Sequence, residues 1–358
     1  MSPVSGPIGS GDATANACGV SEPVACGHCD SPPTQFDVSV VVPTYRRSAL
    51  LAACLAALCE QDFPAGRYEI LVCDDGPDEA TRACVERLAE AQAARGLAVR
   101  YVPVTRTQGP AGARNAGWQQ ARSPVIAFTD DDTLPDRHWL TGGVAALAHG
   151  AAAATGAIVV PLPPRPTDYE ADASGLERAE FSTANAFVVR SFLAAAGGFD
   201  ERFTSAWRED SDLQFTLMQA GGEIVRVPEA LVVHPVRPAR WGVSIAQQKK
   251  SQFDALLYRK HPELFRTRIR TTPPLLYYAI LCTTLTALCA VFAGGAAIAL
   301  TALFAWLVLT GWFCAMRLRG RDRSWQHIAE MALTSIPIPL LSIFWRLYGA
   351  FRFKVLFL

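Results

Sequence analysis

Val125-Ile126-Ala127-Phe128-Thr129-Asp130-Asp131-Asp132 is a short apolar run that breaks into three adjacent carboxylates. A brief apolar stretch bounded by polar residues reads as a buried strand. Neighbouring like charges repel and compete for water, so a cation is their natural compensation. Hard divalent ions take oxygen ligands, often one or two carboxylates plus substrate phosphates. In extended backbone, successive side chains face opposite ways, which sends Asp130 and Asp132 to one side and Asp131 to the other. The triplet fits a solvated acidic turn before a helix near Pro135 equally well.

Upstream the same texture repeats. Residues 38–42 are a mainly β-branched run that ends at Pro43, and a helical pattern follows through Leu50, Leu51, Leu55 and Leu58. Residues 69–73 form a second strand signal closed by Asp74-Asp75-Gly76-Pro77. A helix over about 79–95, a strand over 99–104 and a glycine-rich entry to a helix over 109–121 come next. Strand–helix alternation predicts a parallel sheet covered on both faces, with ligands at the carboxyl ends of the strands. The polar clusters after Val42, Cys73 and Phe128 should therefore converge. Tyr45 can stack on a flat base or be a surface loop residue. Asp74-Asp75-Gly76 suits a βα turn with a helix-capping Asp as well as a ligand contact. Residues 109–115 can present backbone N–H groups and Arg114 to a phosphate. Further on, Trp207-Arg208-Glu209-Asp210 precedes the amphipathic run Leu213, Phe215, Leu217, Met218. Those carboxylates suit a helix N-terminus or a general base. His234 closes the strand-like 231–233.

The 358 residues carry 33 Lys+Arg and 33 Asp+Glu, and half are apolar, which excludes a disordered chain and gives no sign of nucleic-acid binding. Residues 1–36 are rich in Gly, Pro, Ser and Ala and read as a flexible tail without a secretory h-region. Its Cys26-Gly27-His28-Cys29 has neither a second ligand pair at short spacing nor a thioredoxin-like setting. Cys54, Cys59, Cys73 and Cys84 sit in apolar runs as buried thiols, consistent with a reducing compartment.

Residues 275–316 contain no charge and are broken by Gly294-Gly295. A span needs about 20 apolar residues, so two spans, 275–294 and 296–316, are expected. Arg317, Arg319, Arg321 and Arg323 then mark a cytoplasmic loop, which returns the chain to the side of the soluble domain. Residues 327–358 are apolar but carry Pro337, Pro339, Arg346, Arg352 and Lys354, which favours an interfacial or re-entrant segment.

Taken in order, 38–45, Asp74-Asp75-Gly76, Ala113-Arg114-Asn115-Ala116-Gly117, 128–132, Gly197-Gly198-Phe199-Asp200-Glu201 and 209–213 resemble the family 2 glycosyltransferases, inverting nucleotide-sugar enzymes of GT-A fold. The resemblance covers roughly 37–234. It implies a Rossmann-like α/β domain with a mostly parallel sheet over 37–265, followed by a membrane region over 266–358. It also implies a UDP- or GDP-sugar donor and a divalent ion, Mg²⁺ or Mn²⁺. By position, Asp75 with Pro43, Thr44 and Tyr45 would hold the base. Arg114 and Asn115, with Asp130 and Asp131, would line the donor. Asp130, Asp132 and His234 would face the metal. Asp210 would be the catalytic base, assisted by Glu209, and Trp207, Asn185 and Trp241 would line the acceptor side. The QxxRW signature of processive synthases becomes Arg237-Pro238-Ala239-Arg240-Trp241 here, with Arg where Gln belongs. Single-sugar transfer to a membrane lipid, lipid-linked saccharide or envelope glycan at the cytoplasmic face is thus expected. The alternatives are a processive synthase or a non-catalytic nucleotide-sugar-binding scaffold.

Overall fold

β1 (Val38–Thr44) is buried along nearly its whole length and pairs in parallel on both edges, with β2 (Tyr68–Asp74) and β4 (Val125–Thr129). β3 (Ala98–Pro103) extends the sheet beyond β2, also in parallel. The chain thus runs outward from β1 on one side and returns on the other. That reversal opens a crevice where the carboxyl ends of β1 and β4 diverge. Beyond β4 lie β7 (Asn185–Val189), β6 (Ala153–Val159), β8 (Ile224–Val233) and the two-residue β5 (Leu134–Pro135), giving the order β3-β2-β1-β4-β7-β6-β8-β5. β7 is antiparallel to both β4 and β6, so the all-parallel character holds for the first half of the sheet alone. The computed structural model describes residues 36–270 and 272–357; the expectation for Cys26 and Cys29 lies outside them.

The period-two alternation of β1 sorts its side chains into two apolar layers. Val38, Val40 and Val42 join Ile70, Val72 and Trp139 on one face, with Leu51, Leu55 and Leu58 of α1 (Ser48–Cys59). Val41 joins Leu71, Cys73 and Phe128 on the other, under α3 (Pro110–Gln120). α2 (Glu79–Ala93) is capped by Asp78, whose carboxylate accepts from Thr81 N at 3.0 Å, so neither Asp74 nor Asp75 caps it. α3 lies close on the sheet because Gly117 leaves room: a Cβ there would sit 2.4 Å from Val41 Cγ1. Phe36, assigned to the tail by its sequence neighbours, is buried with Arg122 over its ring.

The second half adds α4 (Trp139–Ala146), α5 (Asp168–Ala173), α6 (Arg190–Ala195), α7 (Glu209–Gln219), α8 (Val243–Gln247), α9 (Gln252–Lys260) and the single turn α10 (Pro262–Leu264). α11 (Leu275–Phe292) and α12 (Ala296–Leu318) are each long and apolar enough to cross a membrane, with mean hydropathy 2.0. Most of their surface is uncovered by protein, as in Phe292, Leu300 and Phe304. α13 (Trp325–Thr334) and α14 (Ile338–Arg352) meet at a 47° bend, so they form either one broken span or a re-entrant segment. α14 packs on α9 at Gly349, where a Cβ would meet Gln252 O at 2.3 Å, while Phe344, Leu347 and Phe351 point outward. Arg317 does not lie open on the basic loop. It is buried, donates to Asp168 at 2.7 Å and to Thr334 at 2.7 Å, and so ties the end of α12 to α5.

Candidate active site

The ends of β1, β2 and β4 converge, as strand–helix alternation requires. The acidic triplet leaves β4 in a turn rather than in extended backbone, with Thr133 Oγ1 donating to Asp130 O at 2.7 Å. The three carboxylates still diverge. Asp131 turns back beneath β1, where Oδ2 accepts from Thr44 Oγ1 at 2.7 Å and Oδ1 from Arg47 at 3.2 Å. It is 2% exposed with both oxygens engaged, which corrects its assignment to the donor lining: it braces the floor of the crevice. Burial raises its pKa, against the pull of Thr44 and Arg47.

Asp130 and Asp132 face the crevice, and one ligand atom from each lies within 4.8 Å of the others and of His234 at the end of β8. Two carboxylates and an imidazole, with substrate phosphates to complete the sphere, suit Mn²⁺ or Mg²⁺. Asp132 Oδ2 is buried and accepts no hydrogen bond of good geometry; its one close partner is the Arg237 guanidinium, with Nε at 2.8 Å, so the oxygen sits where a positive charge is called for. The residues fit the metal that the triplet implies.

Arg114 joins this cluster to a second one. Almost wholly buried on α3, it donates to Asp130 at 2.9 Å and to Glu209 at 3.1 Å. Both outer nitrogens are therefore committed to carboxylates, and its place is between the two clusters rather than out in solvent. Glu209 is buried, and Asp210 is held by Thr183, which donates Oγ1–H at 2.6 Å and N–H at 3.2 Å. Burial raises the pKa of both, reinforced at Glu209 by the adjacent Asp210 and opposed at each by Arg114. Arg208 precedes them at φ 76°, outside the usual range for a non-glycine residue, and is fixed there by Asp254 at 2.7 Å. Thr183, which holds Asp210, and Asp254, which holds Trp207 and Arg208, are absent from the sequence-based site; both reach it only through folding.

At the end of β2, Asp74 is used internally, accepting from Gly76 N, Asp78 N and Tyr101 OH. Asp75 accepts Gly109 N–H at 2.8 and 2.9 Å through its two oxygens, fastening the β2 turn to the start of α3. Burial raises its pKa, with Gly109 opposing. Tyr45 is 46% exposed, and its ring lies over Gly76, where a Cβ would approach it to 2.5 Å. Pro43, Thr44, Tyr45 and Asp75 thus share one corner of the crevice.

Two predicted site residues belong to the framework instead. Asn115 accepts from Phe199 N and Trp118 Nε1 and donates to Phe199 O and Glu201, so it pins the 197–201 loop. Asn185 is wholly buried in β7, accepting from the Trp139 indole at 2.8 Å and donating to Ala157 O and Ala230 O at 2.7 and 2.8 Å. The Asn115 amide is saturated, and Asn185, wholly buried, keeps one unspent acceptor lone pair and no free donor. Asn185→Ala strands an indole N–H and two carbonyls and should cost about 2–4 kcal/mol. A fall in melting temperature of the detergent-purified protein checks this, and an unchanged value contradicts it. Trp207 and Trp241 are 37% and 58% exposed, and Trp207 donates its indole N–H to Asp254 at 3.1 Å.

Comparison with known proteins shows the family. The family model "Glycosyl transferase family 2" matches residues 39–193, and "Glycosyl transferase family group 2" matches 125–316, more than half of the chain. The chain is 26% identical to Glycosyltransferase AglE of Haloferax volcanii over 56% of its own length and 67% of that protein. It is 34% identical to a GalNAc(5)-diNAcBac-PP-undecaprenol beta-1,3-glucosyltransferase of Campylobacter jejuni, over 26% of this chain and 29% of that one. Across the curated relatives it matches, the chain spans about two thirds of their length or less. The solved mannosyltransferase of Pyrobaculum calidifontis, in complex with GDP-Man and Mn²⁺, superposes with a TM-score of 0.55 at 22% identity, covering 86% of this chain and 88% of that one; the likeness is one of fold. With its curled mixed sheet, its paired carboxylate clusters and its apolar C-terminal helices, the chain belongs to the family 2 glycosyltransferases.

Proposed function

We propose that the protein is a metal-dependent inverting enzyme that moves one sugar from a UDP- or GDP-sugar to a hydroxyl of a lipid or lipid-linked acceptor at a membrane. The observation that carries this reading is the chain of contacts from Asp132 and His234 through Asp130 and Arg114 to Glu209, next to Asp210. It supports a reading in which a cation site and a base share one crevice. A divalent ion held by Asp130, Asp132 and His234 would neutralise the charge of the departing diphosphate. Asp210 takes the proton of the attacking hydroxyl on the opposite face of the sugar, while Glu209 and Arg114 fix its surroundings. Asp75, Pro43, Thr44 and Tyr45 hold the base; Trp207 and Trp241 flank the acceptor. Glycosyltransferase AglE, the undecaprenol-linked relative and the GDP-Man and Mn²⁺ of the mannosyltransferase support this reading.

The membrane preference rests on how the helices join the catalytic part. Arg317 of α12 clasps Asp168 of α5, and Arg346 of α14 lies 3.4 Å from Asp254, which also holds Trp207 and Arg208. We assign 37–265 to the catalytic domain on the cytoplasmic side and 266–358 to the membrane region. The full chain in detergent, given Mn²⁺ and labelled donor, should move label into the organic-extractable fraction of a membrane lipid extract. Label entering only water-soluble saccharides would refute the lipid acceptor and leave the transferase intact.

A further inference from the structure

Each outer carboxylate of the triplet carries an arginine, and the two arginines are held very differently. Arg114 has a side chain only 4% exposed and is locked between Asp130 and Glu209. Arg237 has a side chain 40% exposed and touches one carboxylate, its Nε lying 2.8 Å from Asp132 Oδ2. That contact is a matter of charge and not of direction, because Oδ2 accepts no hydrogen bond. Arg237 follows β8 in an irregular stretch and also borders a cavity of about 320 Å³ between that stretch and α13, which gives its side chain somewhere to go. It occupies the position at which Arg stands in place of the Gln of QxxRW.

A carboxylate as buried as Asp132, 3% exposed, is costly without a cation beside it. We infer that Arg237 is a donor-binding residue: it neutralises Asp132 while no metal is bound, is displaced as the metal arrives, and then faces the diphosphate that the metal brings. This rests on the metal-dependent nucleotide-sugar reading above. The electrostatics reverse sign along the way. Toward a bare divalent ion on the same carboxylate, the guanidinium is a like charge and opposes binding. Once the diphosphate stands beside the ion, the same guanidinium is an opposite charge with a planar fork suited to phosphate oxygens. One residue therefore weakens metal binding alone and strengthens metal–nucleotide binding, which links entry of the ion to entry of the donor.

The test is Mn²⁺ titration of the full chain in detergent, followed by electron paramagnetic resonance of the free ion, without nucleotide and then with UDP or GDP. Arg237→Gln should bind Mn²⁺ alone about fivefold more tightly than the wild type. It should bind the better nucleotide, in the presence of Mn²⁺, at least about tenfold more weakly. Arg237→Lys keeps the charge and should leave the affinity for Mn²⁺ alone at the wild-type value. Because the side chain is substantially exposed, neither change removes packed core. Equal or weaker binding of Mn²⁺ alone by Arg237→Gln, in a wild type that does bind Mn²⁺, overturns the inference and leaves the proposed function standing. A wild type that binds no Mn²⁺, with or without either nucleotide, overturns the metal-dependent reading and this inference together.

Discussion

Asp210→Asn is expected to cut sugar transfer by about a thousandfold while metal-dependent nucleotide binding stays within a few-fold of the wild type. The amide keeps the shape of the side chain and can still accept the Thr183 hydroxyl at Oδ1, but it cannot take a proton. Among the described residues, the Asp210 carboxylate takes its hydrogen bonds from Thr183, not from Tyr45, Asp75 or Asp132, the positions proposed for the nucleotide and metal. The pH profile offers a second check on the same group. Burial raises the Asp210 pKa, so the base begins to be protonated at a pH above the ordinary aspartate range. The acid limb of the transfer rate should therefore lie above that range and move with the group. Stability follows the same sign. A carboxyl whose folded pKa is raised stabilises the fold below its unfolded pKa, and that contribution is lost as pH rises through the folded value. An Asp210→Asn enzyme that transfers sugar at the wild-type rate would remove Asp210 from the role of base.

The second large effect is on the other cluster. Asp132→Ala should abolish the increase in nucleotide affinity that metal provides and lower transfer by about 10²–10³-fold. Asp132 is one of the three groups close enough together to hold a cation, whereas Asp131, its neighbour, is turned away and engaged by Thr44 and Arg47. Asp131→Asn should consequently act through local stability and leave the metal requirement in place. Calorimetry of nucleotide binding with Mn²⁺ and with chelator separates the two. Equal dependence on metal in Asp132→Ala and the wild type would contradict the assignment.

Much of the crevice was legible in the sequence because it is built at strand ends. Mostly apolar runs that stop at Pro43, Asp74 and Asp130 can hardly avoid bringing those positions together once β1, β2 and β4 pair in parallel. The opposite orientations of Asp131 and its neighbours were expected from an extended backbone; they arise instead from a turn fixed by Thr133. What pattern cannot reveal is whether a polar side chain faces a ligand or the protein. Asn115 and Asn185 stand at positions suited to ligand contact, yet their amides are consumed by partners such as Phe199, Trp139 and Ala230. Arg114 was legible as a cation near phosphate, and its ties to Asp130 and Glu209 depend on α3 and α7 meeting across the crevice. The departure at Arg237 was visible, but its contact with Asp132 was not. The antiparallel β7 and the buried Arg317 were likewise beyond local pattern, since both are decided by which distant element each meets.

In the proposed function, Asp130, Asp132 and His234 hold a cation that a nucleotide-sugar needs. Thermal stabilisation of the detergent-purified full chain by UDP- and GDP-sugars, each with Mn²⁺, with Mg²⁺ and with chelator, tests it most directly, because a ligand of the native state raises the melting temperature by mass action. The expected result is a rise that requires metal and one nucleotide class together and that disappears in Asp132→Ala. Stabilisation by a nucleotide-sugar that is unchanged by chelator, or that survives in Asp132→Ala, would contradict it.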